Sequence, residues 1–351
     1  MKKPSTLGIT AIVALLLALI LTLIFGAALW DVSGNGALQS LGGWLKPPMQ
    51  IFTLLGDEQF YLLLIPLIYW CLNKELGADL GVLLVLSSFT NTALKSFFKH
   101  SRPFWEDPTL GLGDASSFST PSGHAQTSAA LFGYLAWFVA SKRSGRLWTV
   151  LLGLLIVFVA LSRVYLGVHF LGDIIWGAAR GLSLAALYAW LKPKLLPQLK
   201  RFPMGIHVLL AFVAAAFMFV VVSLLLAIPF GTGQMFGALY TEAWSAALED
   251  AATIAGLTLG LWAGLALETH AVRFTVAGPW WQRVLRYVIG IIGLFAVWMG
   301  LRMIFPQEPT ALGLTLRIVR YALAMLWAIV GWPWLFVMLK LAARDGQAAT
   351  A

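Results

Sequence analysis

Charge is what this 351-residue chain has least of. Only 11% of its residues are Asp, Glu, Lys or Arg, against 60% hydrophobic, where soluble domains carry about 25% charged residues. That balance excludes an ordinary soluble globular protein. Cysteine is nearly absent: Cys71 stands alone in an apolar segment. A disulfide framework and a cysteine-ligated metal are thereby excluded, and the residue reads as a small buried hydrophobe. No His-x3-His, His-Glu-x2-His or clustered-carboxylate pattern occurs, so neither a metal site nor a cofactor is indicated. Alternating strands are missing too, and the continuous apolar runs exclude a transmembrane barrel. There is no internal repeat or low-complexity tract, although the polar tail Arg344–Ala351 reads as disordered.

Long apolar blocks take the place of what is missing. Leu7–Trp30 carries no charge and is long enough to cross a bilayer. Lys2 and Lys3 precede it as in a secretory signal, but the run exceeds the usual core of about 7–15 residues and lacks an A-x-A pattern. It reads as an uncleaved first span. Ten spans are expected, near 7–29, 51–72, 77–97, 122–140, 147–165, 170–191, 205–230, 244–268, 286–305 and 314–340. Gly42, Gly43, Pro47 and Pro48 mark an interfacial segment between the first two. The fold class is therefore all-α, a polytopic transmembrane helical bundle. With the N-terminus in the cytoplasm, fifteen Lys and Arg fall on inside segments, against five outside: Lys46, Lys95, Lys99, Arg102 and Arg163. This positive-inside bias accounts for the net charge of +9 without a nucleic-acid partner and puts both termini in the cytoplasm.

Three of those five outside cations belong to short polar segments that carry the chemistry. The segments are Lys95-x6-Arg102-Pro103, Pro121-Ser122-Gly123-His124 and Ser162-Arg163-x5-His169-x3-Asp173. By the expected topology all three meet at the extracytoplasmic face. His169 and Asp173 are four apart, so on a helix they share a face. There Asp173 can fix the tautomer of His169 and leave the other ring nitrogen free to attack, the logic of a nucleophile and its orienting acid. Ser122, Gly123 and His124 open an apolar run, where a helix N-terminus offers free N–H groups to a phosphate. Gly123 permits close backbone approach, Ser122 can donate a hydrogen bond, and His124 can protonate a leaving alkoxide. Lys95, Arg102 and Arg163 supply cations for phosphoryl oxygens. Lys95 and Arg102 are two helical turns apart and would face one pocket if their helix continues to Pro103.

Together these segments resemble the three signature motifs of the type 2 phosphatidic acid phosphatase superfamily. That superfamily includes lipid phosphate phosphatases, undecaprenyl pyrophosphate phosphatases, sphingosine-1-phosphate phosphatases, glucose-6-phosphatase and the vanadium haloperoxidases. The resemblance covers roughly Ile51 to Trp190. It implies a six-helix phosphatase core, metal-independent hydrolysis of a lipid phosphate or pyrophosphate, and a phosphohistidine formed on His169. It further implies His124 and Asp173 as catalytic partners, with Lys95, Arg102, Ser122, Gly123 and Arg163 binding phosphate. The expected partners are a membrane lipid substrate and the bilayer, with a homodimer also open, and the expected location is a bacterial inner membrane. A transferase moving phospho-groups between lipids would use the same residues. A transporter fits less well, because the ionisable groups gather at one face rather than at the midplane. A soluble haloperoxidase is opposed by the spans.

Residues 1–200 are expected to form the core and 201–351 a further bundle of four spans. In that second part Glu249, Asp250 and Glu268 are expected to pair with Arg302, Arg317 and Arg320, since charges inside a bilayer are costly. Lys99 and His100, in the first motif's spacer, read as interfacial solvated residues. Asp57-Glu58-x-Phe60-Tyr61 sits on the active-site face, within reach of a substrate head group. Glu106, Asp107 and Asp114 read as solvated loop carboxylates.

Overall fold

The computed structural model describes residues 5–346. Ahead of the first motif run α1 (Ser5–Phe25), α2 (Ser33–Gln39), α3 (Lys46–Leu54) and α4 (Glu58–Leu67). The motifs fall on or beside α5 (Lys74–Phe98), α6 (Pro103–Glu106), α7 (Gly123–Val139), α8 (Gly145–Tyr165) and α9 (Leu171–Leu199). Beyond them come α10 (Met204–Ala227), α11 (Ala238–Leu267), α12 (Trp280–Ile304), α13 (Ala311–Leu326) and α14 (Trp332–Met338). The described residues contain no β-strand, only an isolated bridge between Phe274 and Arg344.

Among the described residues eight helices are long and apolar enough to cross a membrane, and a ninth span results if α3 and α4, bent by 48°, are taken together. The one expected span outside that count is α7. Its 17 residues rise about 26 Å, at the short end of the roughly 17–25 residues that cross a bilayer. Residues 125 to 134 of α7 are all buried, among them Gln126, Thr127 and Ser128. A helix walled off from lipid by other helices needs neither full length nor an apolar surface. By contrast α1, α10 and α12 expose Leu16, Leu23, Phe217, Leu224, Ile292 and Met299, faces that a bilayer covers.

Helix ends have local causes. Asn73 Oδ1 accepts the Leu76 N–H at 2.9 Å to start α5, and Thr310 Oγ1 accepts the Gly313 N–H at 3.1 Å to start α13. The third expected span, α5, which carries the first motif, does not continue to Pro103. After Phe98, Lys99 takes a left-handed φ of 43° and Arg102 an extended conformation, before Pro103 opens α6. Nor is Lys99 solvated as expected. It is fully buried, and its Nζ donates to the carbonyls of Leu225 at 2.9 Å and Ile228 at 2.7 Å, at the unsatisfied end of α10.

The chain forms two compact units. One holds the residues up to Phe60 with Leu86–Pro197 and Leu224–Ala247; the other holds Tyr61–Val85, Gln198–Ser223 and the residues from Leu248. This differs from the division expected at residue 200, which followed the extent of the motifs. In the first unit Phe97 stacks on Phe230, Trp105 lies 5.6 Å from Phe236, and Phe118 lies 5.5 Å from Tyr240. These ring contacts and Lys99 tie 224–247 to the motif-bearing helices. In the second unit the Trp70 indole donates to Ala328 O at 2.9 Å and meets Phe336 edge-on, tying 61–85 to the C-terminal helices.

The second unit pairs Arg317 with Glu249 at 2.6 Å, as expected, but Glu268 pairs with Lys74 at 2.6 Å rather than with an arginine. Cys71 is buried, as a small hydrophobe would be. The start of the tail, expected to be disordered, is held in place: Arg344 bridges to Phe274, and the Asp345 N–H donates to Arg273 O at 2.8 Å. Lys2, Lys3 and residues 347–351 lie outside the described residues.

Candidate active site

A polar ladder inside the first unit sets the two helices that open on the site. Gln126 Nε2 donates to Ser87 O at 2.9 Å and Thr90 Oγ1 at 3.0 Å, and Thr127 and Ser87 hydroxyls meet at 2.9 Å. Asn91 Nδ2 donates to Pro121 O at 3.1 Å. The end of α5 and the start of α7 are thereby held side by side, with Lys95 one turn beyond Asn91. On the far side of α7, glycine lets α9 approach: a Cβ on Gly181 would stand 2.1 Å from Gln126 O. Ser122 caps α7, its Oγ accepting the Ala125 N–H at 3.4 Å while its own N–H donates to Asp173 O at 3.1 Å. Gly123 approaches another side chain, because a Cβ there would lie 3.0 Å from Asn91 Oδ1.

Asp173 stands in the first turn of α9 with no exposed surface. Its Oδ2 accepts the Phe170 N–H at 3.0 Å, the reach of a third-position carboxylate back to the residue that caps its own helix. The same oxygen takes Ser119 Oγ at 2.5 Å and His169 Nδ1 at 3.2 Å. Oδ1 takes Thr120 Oγ1 at 2.6 Å and Trp30 Nε1 at 3.2 Å. Five donors converge on one carboxylate. In this setting the carboxylate is the acceptor and His169 Nδ1 carries the proton.

The other ring nitrogen of His169, Nε2, lies 3.4 Å from Arg102 Nη1, which can only donate. Both contacts therefore select the same neutral tautomer, with a lone pair on Nε2. Burial, and after it the Arg102 charge, hold the His169 imidazole well below its ordinary range, against the pull of Asp173. Arg102 itself is enclosed. Its Nε donates to Ser117 O, Nη1 to Val168 O at 2.6 Å, and Nη2 to Ser117 Oγ at 3.1 Å and Phe118 O at 3.2 Å. Lys95 Nζ reaches the same Ser117 Oγ at 2.8 Å. Lys95 and Arg102 do meet, but across the loop 116–119 rather than along one helix.

Arg163, in the last turn of α8, donates through Nη1 to Thr53 Oγ1 and interacts with the Asp57 carboxylate, while its buried Nε has no hydrogen-bond partner. His124, in the first turn of α7, is within electrostatic reach of Arg163, His169, Lys95 and Arg102. It is confined by Gly56, where a Cβ would stand 3.1 Å from the His124 ring. All eight residues singled out by the motifs therefore sit at one end of the first unit. Of the weaker candidates, Asp57 faces Arg163, His100 packs edge-on against Phe170, and Glu106 accepts from Ser101 at 2.6 Å. Asp107 accepts from Thr109, and Asp114 is exposed.

Sequence reasoning missed the second layer. Ser119, Thr120 and Trp30 hold Asp173, and Ser117 bridges the two cations. Asn35 Nδ2 donates to Val164 O at 2.8 Å and His169 O at 3.0 Å, and Gln39 Nε2 to Leu110 O at 2.9 Å and Tyr165 O at 2.8 Å. Asn35 and Gln39 are four apart on α2, the one signal that could have flagged them. The turn they hold needs glycine: Gly167 has φ +71°, and a Cβ there would stand 1.9 Å from Leu110 O. Among the described residues no cluster of three His, Cys, Asp or Glu could hold a metal ion.

A buried His–Asp pair ringed by three cations, at one end of a membrane-spanning helical unit, is equipped for transfer of an anionic group such as phosphoryl. Comparison with known proteins carries the description further. Residues 76–197 match the PAP2 superfamily and residues 252–344 its transmembrane extension, described as PAP2 superfamily phosphatase. Phosphatidylglycerophosphatase B of Bacillus subtilis (strain 168) is 33% identical over 150 residues, covering 40% of this chain and 72% of that protein. Sphingosine-1-phosphate phosphatase 1 of Mus musculus is 30% identical over 132 residues, covering 36% of this chain but only 30% of that protein. The crystal structure of a transmembrane PAP2 type phosphatidylglycerolphosphate phosphatase from Bacillus subtilis aligns with a TM-score of 0.45 at 28% identity, over 58% of this chain and 100% of that one.

The chain belongs to the PAP2 superfamily. It is an integral membrane lipid phosphate phosphatase, a phosphoric ester hydrolase.

Proposed function

We propose that the chain removes phosphate from a lipid phosphate or pyrophosphate in two phosphoryl transfers through His169, at the extracytoplasmic face and without a metal ion. The observation that carries this reading is the placing of the His169 ring, Nδ1 3.2 Å from the Asp173 carboxylate and Nε2 3.4 Å from Arg102, which selects the tautomer with its lone pair on Nε2. In the first transfer Nε2 attacks phosphorus, the phosphorus–oxygen bond to the lipid breaks, and His124 gives its proton to the leaving oxygen. In the second, His124 takes a proton from water, the resulting hydroxide attacks phosphorus, and the phosphorus–nitrogen bond breaks. Asp173 keeps the Nδ1 proton throughout and balances the positive charge that the phosphorylated ring acquires.

Lys95, Arg102 and Arg163 supply the charge that a metal would otherwise bring to the equatorial oxygens. Of the three, Arg163 has a donor with no protein partner, so it is placed to meet phosphate first. The bias of basic residues to the opposite segments supports the extracytoplasmic face. Two phosphatases similar to this chain act, by name, on phosphatidylglycerophosphate and sphingosine-1-phosphate. Those lipids differ in their tails and share a terminal phosphate, which the site residues are suited to hold.

The test is phosphate release from a detergent-dispersed lipid phosphate, with excess chelator present, by the wild type and by His169→Ala. The wild type should turn over and form an acid-labile phosphoprotein, and the variant should do neither. Substantial turnover by the variant would remove the nucleophile assignment. Loss of wild-type activity to the chelator, restored by magnesium or zinc, would overturn the metal-free part.

A further inference from the structure

A second cationic site lies in the other compact unit, built wholly from helices α11, α12 and α13 and the connection before α13. A cavity of about 340 Å³ is lined by Glu249, Trp298, Arg302, Gln307, Arg317, Arg320 and Tyr321. Three guanidinium groups face it against one carboxylate. Arg317 is accounted for: Nη1 pairs with Glu249 at 2.6 Å and Nε donates to Thr253 Oγ1 at 2.9 Å. The other two have no carboxylate in the lining. Arg320 is 3% exposed; its Nη1 donates to Gln307 Oε1 at 2.9 Å, and its buried Nε has no hydrogen-bond partner. Arg302, in the last turn of α12, lies with its guanidinium carbon 5.7 Å from the centre of the Trp298 ring. Glu308, on the same connection as Gln307, does not line the cavity.

Burying a positive charge without a counter-charge is costly, and an unsatisfied guanidinium N–H adds to that cost. Both penalties fall on Arg320, the one buried guanidinium of the three; an anion seated there would relieve them and give the exposed Arg302 a partner. Guanidinium forks match phosphate oxygens in geometry as well as charge. Arg317 and Arg320 lie about 9 and 14 Å along α13 from its first residue, a depth suited to a head group at the membrane boundary. Trp298 and Tyr321 give the cavity amphipathic walls of the kind that accumulate at that boundary. The volume falls at the low end of ligand cavities, roughly 300–1,000 Å³.

We infer that this cavity binds a phosphate-bearing anion, presented by an anionic membrane lipid or free in solution, at a site separate from the cluster around His169. Binding there neutralises Arg302 and Arg320 and fastens α12 to α13 and α11.

The experiment uses the full chain in nanodiscs of phosphatidylcholine, with unfolding temperature as the readout. One arm adds phosphatidylglycerol to the disc; the other adds inorganic phosphate to the buffer. Wild type is compared with Arg302→Gln and with Gln307→Glu, which places a competing carboxylate beside Arg320 from an exposed position. Binding of phosphate around His169 is common to all three proteins, so only the difference between their curves is scored. Each variant should need about tenfold more anion for the same stabilisation. Hydrolysis of a short-chain lipid phosphate should stay within about twofold of wild type, since neither residue belongs to the catalytic cluster. A displaced curve in the lipid arm alone identifies a head group as the ligand, and displacement in both arms identifies the phosphate group itself. Superimposable curves for the three proteins in both arms overturn the inference. If Arg302→Gln does not fold, Gln307→Glu alone decides. The readout does not depend on turnover, so a failed phosphatase assignment would leave it intact.

Discussion

Asp173→Asn puts the five-donor arrangement under direct test, because an amide can replace only one of the two carboxylate oxygens as acceptor. With its oxygen at the Oδ2 position it still serves Phe170 N–H, Ser119 Oγ and His169 Nδ1. Its NH2 then faces Thr120, whose hydroxyl can rotate to accept, and Trp30, whose indole N–H cannot. The opposite flip orphans the Phe170 N–H instead. Either way at least one fixed donor loses its partner, at a cost of about 1–3 kcal/mol in stability. Trp30 is partly exposed and Phe170 fully buried, so the first flip is favoured. That flip keeps the His169 tautomer and removes only the negative charge opposite the ring. Exchanging a charge-assisted for a neutral hydrogen bond at that point removes about 1–1.5 kcal/mol, or roughly 5- to 13-fold in turnover. Phosphate release in detergent at saturating substrate, paired with thermal unfolding, measures both quantities. A variant within twofold of wild-type turnover would show that the Asp173 charge does not act on the reacting ring.

His124→Ala should slow release of an alkyl alcohol far more than release of nitrophenolate, which needs no proton; equal losses on both substrates would reassign His124 to phosphate binding. The pH dependence of stability follows from the depressed His169. In the unfolded chain this imidazole takes up a proton below about pH 6.5, whereas in the fold it stays neutral. Wild type should therefore lose stability as pH falls through that value, by up to about 1.4 kcal/mol per pH unit more than His169→Asn. Parallel pH curves for the two proteins would contradict a neutral buried ring. In a background without Cys71, a membrane-impermeant thiol reagent should label a cysteine at Asp114 from outside intact cells or spheroplasts and spare one at Ser144. The reverse pattern would move the site to the cytoplasmic leaflet.

The motif residues were legible in the sequence because ionisable side chains stand out against an apolar background and their spacings are short. Eight of the ten expected spans match helices that can cross a membrane, since length and hydropathy decide those. Helix α7 fits that measure least, because it is short at 17 residues and shielded by protein rather than by lipid. The break after Phe98 was missed because Lys99-His100-Ser101 contains no glycine or asparagine to mark a left-handed residue. What compensates is the burial of the Lys99 ammonium on the carbonyls at the end of α10, a contact 126 residues away. Ser119, Thr120 and Trp30 were invisible for a different reason. Hydroxyl and indole donors have no periodicity, and only the folded chain shows that three of them point at one carboxylate.

The residues that complete the cluster start well before the matched segment 76–197. Trp30 on Asp173, Asn35 on the carbonyls of Val164 and His169, Gln39 on Leu110 and Tyr165, Thr53 on Arg163 and Gly56 beside His124 all precede it. A graft of 76–197 into another scaffold would carry every titratable group of the cluster except Asp57, yet leave four buried carbonyls and a carboxylate short of their donors. Exchange of the catalytic centre between relatives therefore has a natural unit larger than the recognisable motif region. The stretch from Trp30 to Asp57 must travel with it.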